Sequence, residues 1–359
     1  MIKKRKSKIK LISIIVAVIL VAAVGVGAYM VINHKNLDDV KNDIKKATKK
    51  KNKEEEKINI VDVNSKSRPF AIMINNLYAA RPYHSGLQDA YIIYEMIVEG
   101  GITRYLALFL DADTSRIGPV RSSRHYYLDY VRENDAIYVH NGYSPQAGSD
   151  FGKLNIDRIE AEAPKTGIRD KSLPVAREHT LFTSIELLTK NGIGKKRTTR
   201  NNDLLLKYSA KSVDLASKQN AQKADNIKIK YSNSTTTSYK YDAENKVYKR
   251  YVNDKEHKDY VTKNQYTFKN IITYQVVNKT VSSPDGYQGR QDLENVGSGT
   301  GYYISEGYAV PIKWEKESRT EQTKYTYEDG TELKVNDGNT FIQIQPKGQE
   351  FSITEDIKE

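Results

Sequence analysis

The chain has 359 residues, 38% of them hydrophobic and 28% charged, which excludes a disordered chain and a multi-span membrane protein. It contains no cysteine, which excludes disulfide frameworks, thiolate metal sites, a cysteine nucleophile and a lipidated cysteine. The formal charge is +12, but residues 1–57 carry a net +9 of it, so the body is nearly neutral and nucleic acid is not an expected partner.

The elements follow in chain order. Residues 1–10 hold six lysines and arginines and no acid. Leu11 to Ile32 then run 22 residues without a charge. At ~1.5 Å per residue that run is about 33 Å long, enough to cross a bilayer core, and longer than the apolar part of a cleaved signal peptide. The basic tail predicts a single-pass signal-anchor with a cytoplasmic N-terminus and the body outside the membrane. Residues 33–57 read as a charged stalk, in which Leu37, Val40, Ile44 and Ala47 have helical spacing.

From Ile58 the pattern changes. Phe70–Ile74, Tyr91–Met96, Thr103–Leu110 and Ala136–His140 are apolar runs of strand length. Ser123–Glu133 and Thr180–Lys190 have helical spacing, with Ser122 or Ser123 as a cap for the first and Gly192 as a stop for the second. Residues 58–200 are therefore expected to form a mixed α/β domain. Residues 201–225 read as a polar connection with some helix. From residue 226 to 350 turn signals recur at Asp242–Asn245, Asn253–Glu256, Pro284–Gly286, Glu306–Gly307, Asp329–Gly330 and Asp337–Gly338. Alternating strands between them predict a mostly antiparallel β domain. The expected class is α+β, with an N-terminal transmembrane helix and stalk.

The blocks Arg68–Asn75, Ala80–Pro82, Ser85–Leu87, Glu99–Arg104, Gly118–Arg124 and His140–Gln146 resemble the opening blocks of the YerB-like family. Val247–Arg250, His257–Asp259, Val296–Gly299 and Lys313-Trp314 resemble its second half. The resemblance covers residues 68–346. It implies an N-terminal α/β part, a C-terminal β-rich part and a place on the outer face of a Gram-positive membrane. It supplies no reaction. The chain departs from the family in lacking a lipobox cysteine, whose place the apolar span is expected to take.

Candidate chemistry is concentrated before residue 145. Arg116, Arg121 and Arg124 fall within nine residues beside a predicted helix start, where arginine forks and free backbone N–H groups suit a carboxylate or phosphate. Asn75 and His140 end predicted strands. With Arg81 and Ser144 they are expected to join Arg121 and Arg124 in one ligand pocket. The bland alternative pairs the arginines with Glu95, Glu99 or Asp111. Glu95 and Glu99, four apart, are the weak catalytic candidates, as acid and base on a glycosidic bond, or else as partners for arginine. The histidines fall at no metal-ligand spacing, so neither a metal nor a cofactor is expected. Gly297–Gly301 lacks the helix and the Lys-Ser/Thr pair of a phosphate loop and reads as a turn or bulge. Trp314 with Tyr302, Tyr303 and Tyr308 is either a sugar platform or half-buried sheet, and His257 and Asp259 read as exposed turn residues. The residues thus favour binding over catalysis. The reading is a membrane-anchored envelope protein that binds an anionic wall-related ligand such as a wall polymer or muropeptide, or a protein partner. The alternative is a wall hydrolase using Glu95 and Glu99.

Overall fold

The computed structural model describes residues 57–356 and, before them, residue 36 and residues 38–42. The basic tail, the apolar span 11–32 and most of the stalk lie outside the described residues. Among the described residues no helix is long and apolar enough to cross a membrane. Residues 38–42 are helical, and the Asn36 side chain accepts the N–H groups of Asp38 and Asp39, a capping arrangement. The chain divides into two compact units at Lys57 and Ile58.

In the second unit the first strands are β1 (Phe70–Asn75), β2 (Ile92–Ile97), β3 (Thr103–Phe109), β4 (Ile137–His140) and β5 (Arg158–Glu160). The later ones are β6 (Asn226–Lys230), β7 (Thr236–Asp242), β8 (Val247–Val252), β9 (Asn270–Val276) and β10 (Gly297–Ser305). They are followed by β11 (Tyr308–Lys316), β12 (Lys324–Tyr327), β13 (Thr340–Pro346) and β14 (Phe351–Thr354). The helices are α1 (Leu128–Glu133), α2 (Pro145–Lys153) and α3 (Ile185–Asn191).

One large sheet runs in the order β12-β11-β10-β9-β13-β2-β3-β1-β4-β5. β13, from near the C-terminus, lies between β2 and β9 and is parallel to both, with Ile92↔Thr340 and Asn270↔Thr340 in register. The two sequence halves therefore build one sheet rather than closing a core each. Every residue of β1, β2, β3 and β13 is buried, as a strand covered on both faces requires. Successive side chains of β2 show the two covers. Tyr94 donates to Glu133 of α1, while Glu95 faces β7 and β8 through Thr237 and Arg250. The second cover is a smaller antiparallel sheet containing β8-β7-β6-β14.

The fold is mostly β with few helices, more so than the sequence predicts. The apolar runs at 70–74, 91–96, 103–110 and 136–140 are strands to within a residue or two. The helix expected at Ser123–Glu133 is a 3-10 turn at His125–Tyr127 followed by the six residues of α1. The helix expected from Thr180 begins only after the strand Leu181–Phe182, where Ser184 accepts the Leu187 N–H as its cap. Residues 201–225 hold short strands at Lys207–Ser209 and Gln222–Lys223 and no helix. Helix α2 was missed, although Ser144-Pro145 is a cap followed by proline at the first helical position.

Candidate functional site

Glu95 lies at the centre of the contact between the two sheets and is fully buried. Thr103 donates to its Oε1 at 2.6 Å, and Arg250 donates to its Oε2 at 2.7 Å. Arg250, also fully buried, spends its other nitrogens on Tyr239 and on Nδ1 of His257 at 2.7 Å. A guanidinium only donates, so His257 Nδ1 accepts and its Nε2 carries the proton. That N–H donates to His84 Nδ1 at 2.7 Å, and His84 Nε2–H in turn donates to the Asn75 carbonyl at 2.6 Å. Each imidazole is thereby fixed neutral and in one tautomer. Burial lowers His84 to about 3, and burial together with Arg250 holds His257 well below its ordinary range. His257 and Asp259 are consequently not exposed turn residues. Asp259 is buried too, accepting from the Gly86 N–H and the Tyr266 hydroxyl.

Glu99 is held the same way. Arg124 grips it with Nε at 2.6 Å and Nη2 at 2.8 Å, and Arg290 adds a third contact at 2.9 Å. Burial pushes its carboxyl up, but the Arg124 fork and the charges of Arg124 and Arg104 overcome this and bring it down to about 2. A general acid needs a raised value and access to its substrate. Glu95 is fully buried against Arg250, and Glu99 is bound by two arginines that hold its carboxyl low, so the glycosidase pair is replaced by two ion-paired structural carboxylates.

The expected ligand residues separate into two groups. Arg124 is spent on Glu99. Arg81 is turned onto Asn76, with its Nε 3.0 Å from the side-chain oxygen and Nη2 3.1 Å from the carbonyl. Ser144 caps α2 by accepting the Ala147 N–H at 3.2 Å. His140 is buried, bonded to the Gly142 carbonyl at 2.9 Å and stacked on Phe151, and burial lowers it to about 4. Each of these four is thus bonded to a protein group. There is no helix start between Arg121 and Arg124: Ser123 bridges to Tyr143 and α1 begins at Leu128.

Asn75 and Arg121 remain. Met73 accepts the Arg121 N–H at 2.9 Å, which places this residue beside the end of β1. The Arg121 side chain is 28% exposed, and among the described residues its ion-pair contact is Glu178 at a long 4.0 Å. Burial lowers its pKa, and Arg124 and Arg169 lower it further by repulsion. Asn75 Nδ2 lies 2.8 Å from Nδ1 of His179, a histidine that burial and the charge of Arg121 keep below its usual range. Behind them Arg104 is buried and donates to the Ser122 carbonyl, and among the described residues its Nε has no partner. Burial first, then Arg124 and Arg121, bring Arg104 down to about 9. The partly exposed groups here are thus Arg121 and Arg169, beside the buried Asn75 and His179 near the C-terminal end of β1, with Arg104 and Arg124 behind them. Arg169 and His179 were not found from sequence. They come from a segment 48 to 58 residues further on, and nothing local marks them.

The chain belongs to a two-part family of unknown function. Residues 57–200 match the family described as "Protein of unknown function (DUF3048) N-terminal domain", and residues 227–342 match "Protein of unknown function (DUF3048) C-terminal domain". A curated relative is "Putative lipoprotein YerB" of Bacillus subtilis (strain 168), 28% identical over 296 residues, covering 80% of this chain and 84% of that one. The crystal structure of YerB from Bacillus subtilis superposes with a TM-score of 0.68 at 25% identity, covering 80% of this chain and 94% of that one. The family resemblance read from the sequence blocks is therefore correct.

Proposed function

We propose that this is a non-catalytic envelope protein, held at the membrane by residues 11–32 with its body outside, that binds an anionic ligand at Arg121, near the end of β1. The location rests on the uncharged 22-residue span behind a basic tail and on the lipoprotein name of the YerB relative. The binding reading rests on Arg121. A guanidinium that is partly desolvated, crowded by Arg124 and Arg169 and faced by one distant carboxylate gains from a bound anion. A carboxylate or phosphate is the fitting chemistry, because a guanidinium offers two parallel donors to either. Wall fragments carry both groups.

Thermal unfolding of the full-length protein with muropeptides, teichoic-acid fragments and inorganic phosphate tests the site. A ligand at ~100 times its dissociation constant stabilises by about 2.7 kcal/mol. Arg121→Ala should keep the unliganded stability and remove the shift. A shift that survives in Arg121→Ala places the ligand elsewhere. Protease added to intact protoplasts tests the location separately. Digestion of the body down to a small N-terminal stub is expected, and full protection of the body would overturn the anchor.

A further inference from the structure

The sheet topology brings an exposed ring and unpaired arginines to the same end of the molecule. β1 is parallel to β4, and β3 is antiparallel to both β1 and β2. β2, β13 and β9 are parallel to one another. The C-terminal ends of β1, β2, β4 and β9 therefore lie along one end of the sheet, the end at which parallel strands present ligand sites. Each feeds part of one cluster. Arg121 lies beside the end of β1, Glu99 follows β2, and Arg104 opens β3. The two-stranded ribbon Asn278–Val281 with Arg290–Leu293 follows β9.

Counter-charge at this end is spent unevenly. Glu99 is shared by Arg124 and Arg290, and Asp285 also binds Arg290. Asp170 and Asp292 are taken by Arg116 and His125. Arg104 and Arg169 donate to the carbonyls of Ser122 and Arg177, and among the described residues neither has an ion pair. Arg121 has the distant Glu178. Arg104, Arg121 and Arg169 are thus left short of negative charge. A carboxylate supplies one such charge, whereas a phosphate monoester supplies about 1.5 to 2 at pH 7, so the phosphate fits better.

The tip of the ribbon adds the ring. Tyr287 is 57% exposed, and the Arg290 guanidinium lies over it at 4.7 Å from the ring centre. Arg290 is itself clamped between Glu99 at 2.9 Å and Asp285 at 2.7 Å. Asp285 also accepts the Tyr287 N–H at 3.2 Å, and Gln146 Nε2 of α2 reaches Ser283 at 3.4 Å. The ring is therefore held by the same Glu99 that fixes Arg124, and its hydroxyl is close enough to act on the Arg121 guanidinium. A tyrosine held in this way offers apolar area at little entropic cost while its hydroxyl stays wet. A sugar ring, apolar on its C–H face and polar at its rim, matches that surface. The other platform read from the sequence is already spent. Trp314 is buried and stacks on Tyr274 at 4.9 Å, and Tyr303 is fully buried. Tyr302 leans on Phe351 at 5.5 Å, and Lys223 lies over Tyr308 at 4.2 Å.

We propose that the ligand at Arg121 is a sugar phosphate, with its phosphate on the guanidinium and its ring on the face of Tyr287 that Arg290 leaves open. This rests on the anion-binding reading above and narrows it. Calorimetric titration of the full-length protein at about pH 7.5, where a phosphate monoester is a dianion, tests it. The probes are glucose 1-phosphate, glycerol 3-phosphate, which is the same ester without a ring, and glucuronate, which is a ring with a carboxylate. Glucose 1-phosphate should bind about fivefold more tightly than glycerol 3-phosphate, the size of one ring contact. It should also bind about fivefold more tightly than glucuronate, because of the extra charge. Tyr287→Ala should melt at the wild-type temperature and bring the first ratio to about one. Tyr287→Phe, which keeps the ring, should keep the ratio. Equal affinity for the two phosphates overturns the proposal, as does a preference that survives in Tyr287→Ala. Glucuronate binding as tightly as glucose 1-phosphate overturns it too. In each of these cases loss of binding in Arg121→Ala leaves the anion-binding reading standing. Binding that persists in Arg121→Ala, or none with any probe, overturns both together.

Discussion

Arg250 and Arg121 use the same side chain in opposite ways. Arg250 is fully buried, and each of its nitrogens is bonded, to Tyr239, His257, Glu95 and Thr237. Arg121 is partly exposed and faces one carboxylate at 4.0 Å. The first pattern belongs to a saturated network that joins the two sheets, and any ligand there would have to break it. The second has unspent donors, and its crowding by like charge is relieved by an anion. A cluster of arginines in sequence therefore says little until the partners of each are counted.

Four experiments can break or sharpen this contrast, and the largest effect belongs to the sealed network. Arg250→Met leaves Glu95 buried without its counter-charge and should cost about 3–5 kcal/mol in urea denaturation. Arg250→Met combined with Glu95→Gln should recover a good part of that loss. A cost near zero for the single variant would mean that the network is not sealed.

Acid should act on the same region. His84 is lowered from 6.5 to about 3, and His257 is lowered as well. Between those values the unfolded chain binds protons that the folded chain refuses, so stability rises with pH and is lost as pH falls below about 6.5. Each such histidine contributes a slope of about 1.4 kcal/mol per pH unit in that window. Urea titrations at pH 7, 5 and 4 measure it, and a flat profile would contradict the buried neutral pair.

A smaller effect is expected at Ser144. As the cap of α2, Ser144→Ala should cost about 1 kcal/mol and leave anion-induced stabilisation intact. Loss of that stabilisation would return Ser144 to the site. The smallest change in stability is expected for Arg121→Ala, within about 0.5 kcal/mol by the same denaturation assay. A loss comparable with that of Arg250→Met would show that Arg121 too is structural.

Much of the fold was legible because it is written in runs of one kind. Phe70–Ile74 and Tyr91–Met96 are continuous apolar strands, and two-sided burial leaves that mark. The turn signals from Asp242 to Gly338 mark the β-rich half for a similar local reason. The joining of the halves was not legible, since the pairing of Ile92 with Thr340 depends on residues 248 apart. Of the expected ligand residues, Arg121 and Asn75 both lie near the end of β1, but helical spacing at Ser123–Glu133 suggested a helix start that extended backbone at Ser123 replaces. The sealed network left one readable trace. Tyr248, Arg250 and Val252 form the buried phase of β8, so a charge stands where the alternation calls for an apolar residue. Such a residue points to a buried partner.

The position of β13 has a consequence for synthesis. A ribosome that has released the first 300 residues has made β2 and β9 but not the strand that belongs between them. Until Pro346 emerges, both of those edges are open templates for non-native pairing. The nascent chain therefore has to wait for its final few dozen residues before the sheet can close, and a chain truncated before that point lacks the strand that joins β2 to β9. Contacts of such long sequence separation also make folding slow.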